Sequence, residues 1–152
     1  MELKIKALSP KIGTEIPLPK FATAGAACMD LCACIDAPVT LEVGARALIP
    51  TGIAIALPSA DYVALVFARS GLGIRQGVCL ANGVGVIDSD YFEAKNEGHI
   101  LIKMTSDDLN GKMLSVQSGD AFAQGIFLPY GITVDDDADG QREGGFGSTT
   151  GK

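Results

Sequence analysis

The chain has 152 residues, of which 47% are hydrophobic and 20% are charged, a composition typical of one globular domain with its own core. Its net charge of −6 at pH 7 argues against binding a nucleic-acid polymer, because that contact needs a basic face that displaces counterions. No apolar run approaches the ~20 residues of a membrane span, and residues 1–4 lack the apolar stretch of a signal peptide. We therefore expect a cytoplasmic protein with no membrane contact.

Short apolar stretches recur along the chain about every 8 to 12 residues, with Gly, Pro or Asp between them, which predicts strands. No window of helical length has a convincing 3.6-residue stripe. The fold class is therefore all-β, and a sandwich, a jelly roll or a barrel would each fit this spacing. The predicted strands are 3–6, 28–35, 39–43, 47–57 with a break at 50–52, 62–68, 78–81, 84–87, 100–104, 112–116 and 121–128.

The segment 69–91 combines more chemically active residue types than any other part of the chain. Within it, Asn82-Gly83 lies between the apolar runs 78–81 and 84–87. Both residues tolerate a positive φ, so this arrangement predicts a β-hairpin with a two-residue turn. Small side chains at the tip would leave backbone N–H and C=O groups open to a flat heterocycle.

The residues before the predicted hairpin suit a phosphate group. Ser70 follows an apolar strand and can cap a short helical turn, in which case the N–H groups of Gly71 and Leu72 point outward without partners. Such N–H groups beside the guanidinium of Arg69 favour an anion.

After the predicted hairpin, Asp88 ends an apolar strand. A carboxylate is expected at such a place when the strand end lines a cleft, and there it could activate a water molecule. On these residues alone, a glycine-rich hairpin followed by a turn at 88–90 explains the pattern equally well.

The composition changes at Asp135. Residues 135–140 are acidic and residues 144–151 are rich in Gly, Ser and Thr. Such a segment cannot bury enough apolar surface to order itself, so we divide the chain into a core, 1–134, and a flexible C-terminal arm, 135–152. Phe146, inside a phosphate-suited Gly-Gly-x-Gly-Ser-Thr pattern, distinguishes the arm from a tail without function.

The four cysteines allow a metal site as one interpretation, since Cys28, Cys32 and Cys34 share one strand parity and Cys79 could complete a set. However, no Cys-x-x-Cys pair exists and His99 is the single histidine. Free thiols that act as small core residues are the better interpretation.

Five segments together resemble the five ordered motifs of the trimeric deoxyuridine triphosphate nucleotidohydrolases, the dUTPases. Their order and spacing agree along nearly the whole chain. The resemblance selects a distorted jelly roll, the dUTPase-like β-clip, and implies that a homotrimer hydrolyses dUTP to dUMP and pyrophosphate with Mg²⁺. That reaction limits uracil in DNA and supplies dUMP for dTMP synthesis. The five segments are 24–31, 69–73, 85–91, 119–124 and 144–149.

The resemblance also implies roles for individual residues. Asp88 would activate the water that attacks the α-phosphorus, and Asp30 would reach Mg²⁺ through water. The family builds each site from three chains, so the arm would close an active site of a neighbouring subunit. The phosphates would contact Arg69, Ser70, Gly71 and Gln124 of the core and Arg142, Gly147, Ser148 and Thr149 of the arm. Uracil and deoxyribose would contact Asn82, Gly85, Val86, Ile87, Tyr91 and Phe146.

The chain departs from the family pattern at several positions. Ala68 replaces a proline, Ala121 replaces an arginine, and Arg142 comes one position late in the arm. Residues 92–99 follow Tyr91 as an insertion of several residues, which could re-route a trimer contact or add a lid.

Two alternatives to the hydrolase remain. The deoxycytidine triphosphate deaminases share the fold, but Gly71 and Ile74 occupy the places of a serine and an arginine in their motif. A catalytically weak, dUTPase-like module that binds a nucleotide or a protein is the other alternative.

Overall fold

The structure is a computed structural model that describes residues 2–107, 111 and 113–146. Within these residues the regular elements are almost all strands, which confirms the all-β prediction. The strands are β1 (Lys4–Ala7), β2 (Met29–Cys32), β3 (Val39–Leu41), β4 (Arg46–Pro50), β5 (Ile53–Ala56), β6 (Tyr62–Ala68), β7 (Val78–Leu80), β8 (Gly85–Asp88), β9 (Leu101–Ser106), β10 (Leu114–Val116) and β11 (Ala121–Pro129). One short helix, α1 (Ser70–Gln76), and a 3-10 helix (Ser89–Glu93) complete the set.

The strands form two larger antiparallel sheets and two strand pairs. The four-stranded sheet has the order β2-β11-β6-β8, and the three-stranded sheet has the order β4-β9-β7. The pairs are β1 with β5 and β10 with β3. Strand β11 is nine residues long and lies between β2 and β6, so its side chains meet those of both neighbours.

One hydrophobic cluster joins the sheets. Phe122 of β11 and Leu31 of β2 are each 1% exposed, and they belong to the same cluster as Ile49 of β4 and Met104 of β9. Burying a side chain of this size stabilises the fold by about 1.5–3 kcal/mol. The packing of two sheets over one core is the arrangement that the jelly-roll prediction requires.

The predicted hairpin at Asn82-Gly83 is wrong. Strand β7 pairs with β9 and strand β8 pairs with β6, so the two strands belong to different sheets. A turn is present, since the Gly83 N–H donates to the Leu80 C=O at 2.9 Å and Gly83 has a φ of 78°. However, the Ala81 N–H bonds to the Lys103 C=O of β9 at 2.8 Å, so pairing with a distant strand replaces the local ladder.

Several predicted strand bounds differ from the observed ones, whereas one predicted break is present. The break at 50–52 is confirmed, because Gly52 has a φ of 71° and separates β4 from β5 in different sheets. Strand β2 ends at Cys32, earlier than predicted, since the next N–H groups bond to Asp120 and Pro50 of separate segments. In the described part of the chain, no helix has the length and apolarity needed to cross a membrane.

Candidate active site

A cavity of about 490 Å³ opens beside strand β8. The turn after β7, strand β8, the 3-10 helix, strand β9 and the arm all contribute to its wall. Eight of the predicted site residues line it, namely Asn82, Gly85, Val86, Ile87, Asp88, Tyr91, Arg142 and Phe146. The structure therefore brings together the whole predicted uracil and deoxyribose set and the predicted base. We call this space the nucleoside cavity.

Strand β8 presents a backbone edge to the nucleoside cavity. Among the described residues it pairs with β6 alone, so its other edge is free for hydrogen bonds with a bound ring. Gly85 lets the backbone of β8 pack closely on its neighbours, because a Cβ there would lie 3.2 Å from Val66 Cβ and 3.5 Å from Leu80 Cδ2. The exposed edge suits recognition of a planar base through fixed donors and acceptors.

Tyr91 forms a rigid part of the wall. The residue is 9% exposed, and its hydroxyl donates to the His99 C=O at 2.9 Å while it accepts from Asn96 Nδ2 at 2.8 Å. The arm passes over the ring, since a Cβ on Gly145 would lie 3.0 Å from Tyr91 Cε2. The tyrosine is therefore held in one orientation by residues 96–99, which follow it in the sequence.

Asp88 is the last residue of β8, and its side chain is 43% exposed. Its carboxylate forms an ion pair with the guanidinium of Arg142, whose Nε lies 2.6 Å from Asp90 Oδ1. The Arg142 side chain is only 22% exposed, which is low for an arginine of a segment without strands. The arm thus pairs with the carboxylate that is the predicted base.

The predicted phosphate residues of the core lie elsewhere. Arg69 Nε is 3.2 Å from Asp30 Oδ1, and Arg69 Nη1 donates to the Ala121 C=O at 3.2 Å. Gln124 lies opposite Asp30 in the β2–β11 register, and its Nε2 donates to the Ala68 C=O at 3.4 Å. Arg69 and Ala121 line a second cavity, of about 270 Å³, which shares no lining residue with the nucleoside cavity.

The predicted cap at Ser70 is wrong. Helix α1 begins with Ser70, and Arg69 occupies the cap position with an extended backbone and no capping side chain. The N–H groups of Leu72 and Gly73 donate to the Arg69 C=O at 2.9 and 3.0 Å, so the Leu72 N–H is not free for an anion. Strand β6 runs directly into the helix, and the last extended residue supplies the carbonyl that satisfies these groups.

Two cations in the nucleoside cavity were not predicted from the sequence. Arg46 of β4 and Lys103 of β9 both line it, and both are exposed. The register pairs Leu48 with Lys103 and Arg46 with Thr105, so the two cations share a sheet face. Only the pairing of β4 with β9 relates Arg46 to Lys103, and these strands are too far apart in the sequence for that pairing to be predicted. The predicted arm residues Gly147, Ser148 and Thr149 lie outside the described residues.

A metal cage of protein ligands is absent from the described residues, which contain no group of three or more His, Cys, Asp or Glu side chains placed to hold an ion. The four cysteines are free and partly buried. Burial raises the pKa of the Cys32 thiol, and the charge of Asp30 raises it further. Cys32 is therefore a poor thiolate ligand.

Known proteins similar to this chain match it over nearly its whole length. A family model described as dUTPase matches residues 14–150. The deoxyuridine 5'-triphosphate nucleotidohydrolase of Tolumonas auensis is 39% identical over 153 aligned positions, which cover 97% of each chain.

Solved structures are similar as well. The crystal structure of the dUTPase from Streptococcus mutans superposes with a TM-score of 0.73 at 32% identity, covering 85% of this chain and 97% of that one. A variant of the dUTPase from Staphylococcus aureus phage phi11, which coordinates a structural Mg(II) ion, superposes with a TM-score of 0.71 at 20% identity, covering 92% and 98%.

Proposed function

This chain belongs to the dUTPase family and hydrolyses dUTP to dUMP and pyrophosphate, and we propose that Asp88 activates the attacking water. The observation that carries the assignment of Asp88 is its position at the end of β8, on the wall shared by Asn82 and Tyr91. A base must lie within hydrogen-bond reach of the water it activates, and a strand end that borders the nucleoside cavity meets that requirement.

Selection of uracil is assigned to the free edge of β8 and to the amide of Asn82. Fixed backbone donors and acceptors match one base edge, and cytosine would leave some of them unpaired at a cost of several kcal/mol. Tyr91 would pack against the deoxyribose and leave no room for a 2′-hydroxyl. Its double hydrogen bond to His99 and Asn96 supports this role, because a wall that discriminates by shape must not move.

Attack on the α-phosphorus requires an oriented water and cations around the developing charge. Arg142 is paired with Asp88 and Asp90, so binding of a triphosphate would have to draw the guanidinium away and uncover the carboxylate. The arm arginine would then contact phosphate oxygens, and Asp88 would hold the water. Phe146, which lines the cavity, would stack over the uracil.

The separation of the two cavities supports a homotrimer. Four core residues are assigned to the phosphates, yet within one chain none of them lines the nucleoside cavity, and Arg69 lines the second cavity instead. The four are Arg69, Ser70, Gly71 and Gln124. A second copy of the chain could supply the phosphate set to the nucleoside cavity of the first. We therefore assign each active site to more than one subunit and expect the isolated subunit to be inactive.

The arm, residues 135–152, is assigned to closure of the site. Arg142, Gly145 and Phe146 line the nucleoside cavity of their own chain. Gly147, Ser148 and Thr149 would continue from there to the phosphates. That the arm instead closes the active site of a neighbouring subunit stays a prediction.

Magnesium is the proposed cofactor. Asp30 fits a contact through water, because its side chain is 30% exposed and Arg69 occupies only one of its two oxygens. Mg²⁺ usually keeps several waters and binds through one or two carboxylates and substrate phosphates. When bound, the ion would neutralise charge on the triphosphate. Free thiols also suit the cytoplasm, which is the proposed location.

The function is tested by pyrophosphate release with Mg²⁺, comparing dUTP with UTP, dCTP and dTTP and identifying the nucleotide product. Rapid conversion of dUTP alone to dUMP is the expected result. Deamination of dCTP would instead assign the chain to the sister family. Absence of turnover with every nucleotide would favour a binding module.

A further inference from the structure

The segment 92–99, which we call the insert loop, contacts the arm. Lys95 Nζ lies 2.7 Å from Glu143 Oε2, and the Lys95 N–H donates to the Glu143 C=O at 3.3 Å. A side-chain and a backbone contact between the same two residues fix both the position and the direction of the arm at this point. None of the residues 92–99 lines the nucleoside cavity, so these contacts are with the arm and not with the space it covers.

The insert loop is itself fastened to the core. Asn96 donates to the Tyr91 hydroxyl and, at 3.2 Å, to the His99 C=O, and His99 Nε2 accepts from the Gly52 N–H at 3.1 Å. On its outer side, Glu97 Oε1 lies 3.1 Å from Lys6 Nζ of β1. These bonds hold the loop in place independently of the arm.

The loop also has a backbone conformation that depends on glycine. Gly98 has a φ of 69°, and a Cβ there would lie 2.7 Å from Phe92 Cα. The chain therefore closes tightly on itself across the loop. A surface built in this way can receive a mobile segment without reorganising.

The arm residues on both sides of Glu143 belong to the proposed site. Arg142 pairs with Asp88, while Gly145 packs on the ring of Tyr91 and Phe146 lines the nucleoside cavity. Because Glu143 lies between them in the chain, a contact that holds Glu143 limits where Arg142 and Phe146 can be.

We propose that the insert loop is a docking platform for the C-terminal arm and that Lys95 is a positioning residue that favours closure of the arm over bound nucleotide. The proposal rests on the proposed function, since it assigns the arm to the same site. This role for the insertion differs from the two considered from the sequence, a re-routed trimer contact and a lid.

The expected size of the effect is small. The Lys95 and Glu143 side chains are 75% and 72% exposed, and an ion pair of that kind shifts an equilibrium by about two- to fivefold. The backbone bond from Lys95 stays in every side-chain variant. Because Lys95 does not border the cavity, its loss should raise KM for dUTP about two- to fivefold and leave kcat unchanged. High salt should reduce the difference.

A charge-reversal cycle tests the proposal with Lys95→Glu, Glu143→Lys and the double variant. Each single variant places like charges together, and the double variant restores attraction, so KM should rise in each single variant and recover in the double. Lys95→Arg keeps the cation and should match the parent protein. Lys4→Glu, at an exposed position of β1 that forms no ion pair with a described residue of the arm, makes the same change of net charge as Lys95→Glu and should have no effect.

A second readout does not depend on turnover. The chain contains no tryptophan, so Phe146→Trp as a common background reports on the arm alone. Acrylamide should quench Trp fluorescence more in the single variants than in the background or the double variant, without nucleotide present. Quenching and KM that are equal in all variants would overturn the proposal. Quenching that follows the cycle in a protein that does not hydrolyse dUTP would retain the platform and reject the function.

Discussion

Asp88 and Arg142 form an ion pair over the nucleoside cavity, although 54 residues separate them in the sequence. Arg142 is also held by Asp90, with its Nε 2.6 Å from Asp90 Oδ1. The arm is thus fastened to the carboxylate that we assign to activation of water. If Arg142 contacts the triphosphate as proposed, binding of the triphosphate and release of this carboxylate would be coupled through one guanidinium.

Asp88→Asn should lower turnover of dUTP about 10²-fold or more, because the amide cannot accept the proton of the attacking water. Nucleotide binding should persist, since the side chain keeps its shape. Steady-state rates and the affinity for a non-hydrolysable imido analogue of dUTP measure the two effects separately.

Asp90→Asn is the matched control for that variant. It weakens the second bond to Arg142 but leaves the Asp88 carboxylate intact, so turnover should change by no more than a few-fold. If Asp90→Asn were as inactive as Asp88→Asn, the loss would come from the arm contact, and the base assignment would be wrong.

Truncation before Gly144 should abolish turnover and leave the thermal midpoint almost unchanged. Residues 131–146 contribute no strand, and the described residues among those removed, 144–146, are outside the hydrophobic cluster. Normal hydrolysis by the truncated chain would exclude a role of the arm in closure.

The same truncation identifies which cavity the arm serves. In mixed trimers of Asp88→Asn chains and truncated chains, an arm that closes its own cavity leaves every site defective. If the arm crosses to a neighbour, the complete arm of an Asp88→Asn chain can close over the intact Asp88 of a truncated chain, and some sites are restored. Recovery of activity on mixing would therefore show crossing, and its absence would show closure within each chain.

Gly52→Ala should destabilise the fold by about 2–4 kcal/mol, since a side chain at positive φ and a steric overlap both oppose it. Gly52 has a φ of 71°, and a Cβ there would lie 2.7 Å from Cys34 Sγ and 2.9 Å from Cys34 Cβ. Urea denaturation gives the free energy of unfolding. Gly44→Ala, at a φ of 77° with open space around it, should lose only about 1 kcal/mol, and equal losses would disprove the overlap.

His99 should make stability depend on pH below neutrality. Burial lowers the pKa of its imidazole from the ordinary 6.5, and its neutral Nε2 accepts the Gly52 N–H. The contribution of His99 to the free energy of unfolding is complete above pH 6.5 and falls as the pH drops. The reason is that the imidazole binds a proton more readily in the unfolded chain than in the folded one.

The glutamine variant isolates this dependence. His99→Gln keeps an acceptor but does not titrate, so its thermal midpoint should vary less than that of the parent between pH 7.5 and 5.5. The carboxyls of Asp36 and Glu143 do not interfere, since ion pairing with Lys11 and Lys95 lowers their pKa values below 3.8 and 4.5. Equal slopes for the two proteins would reject the role of His99.

Several features of the fold followed from local patterns in the sequence. Strand β6 has the predicted bounds, 62–68, because alternating and apolar runs between turn residues need no distant information. Asp88 ends a strand as predicted. The family resemblance selected eight of the residues that line the nucleoside cavity, since motif order is a property of the sequence alone.

Strand partners and cap residues were decided by tertiary structure. The turn at Asn82-Gly83 exists, but hydrogen bonds to Lys103 and pairing with β6 separate its two strands. Ser70 is a good cap residue, yet Arg69 supplies the carbonyl because β6 enters the helix without a break. In both cases the structure follows the strand pairing of the sheet and not a local preference worth about 1 kcal/mol.

The sequence by itself determined which chemical groups this protein carries, their order and their strand or loop context, because these depend on neighbours in the chain. Only the tertiary structure decided that Arg69 and Asp88 lie at different cavities, that Lys103 joins the nucleoside cavity, and that Lys95 meets Glu143. Those relationships join residues tens of positions apart, and packing of the sheets around one core, not any local preference, brings them together or keeps them apart.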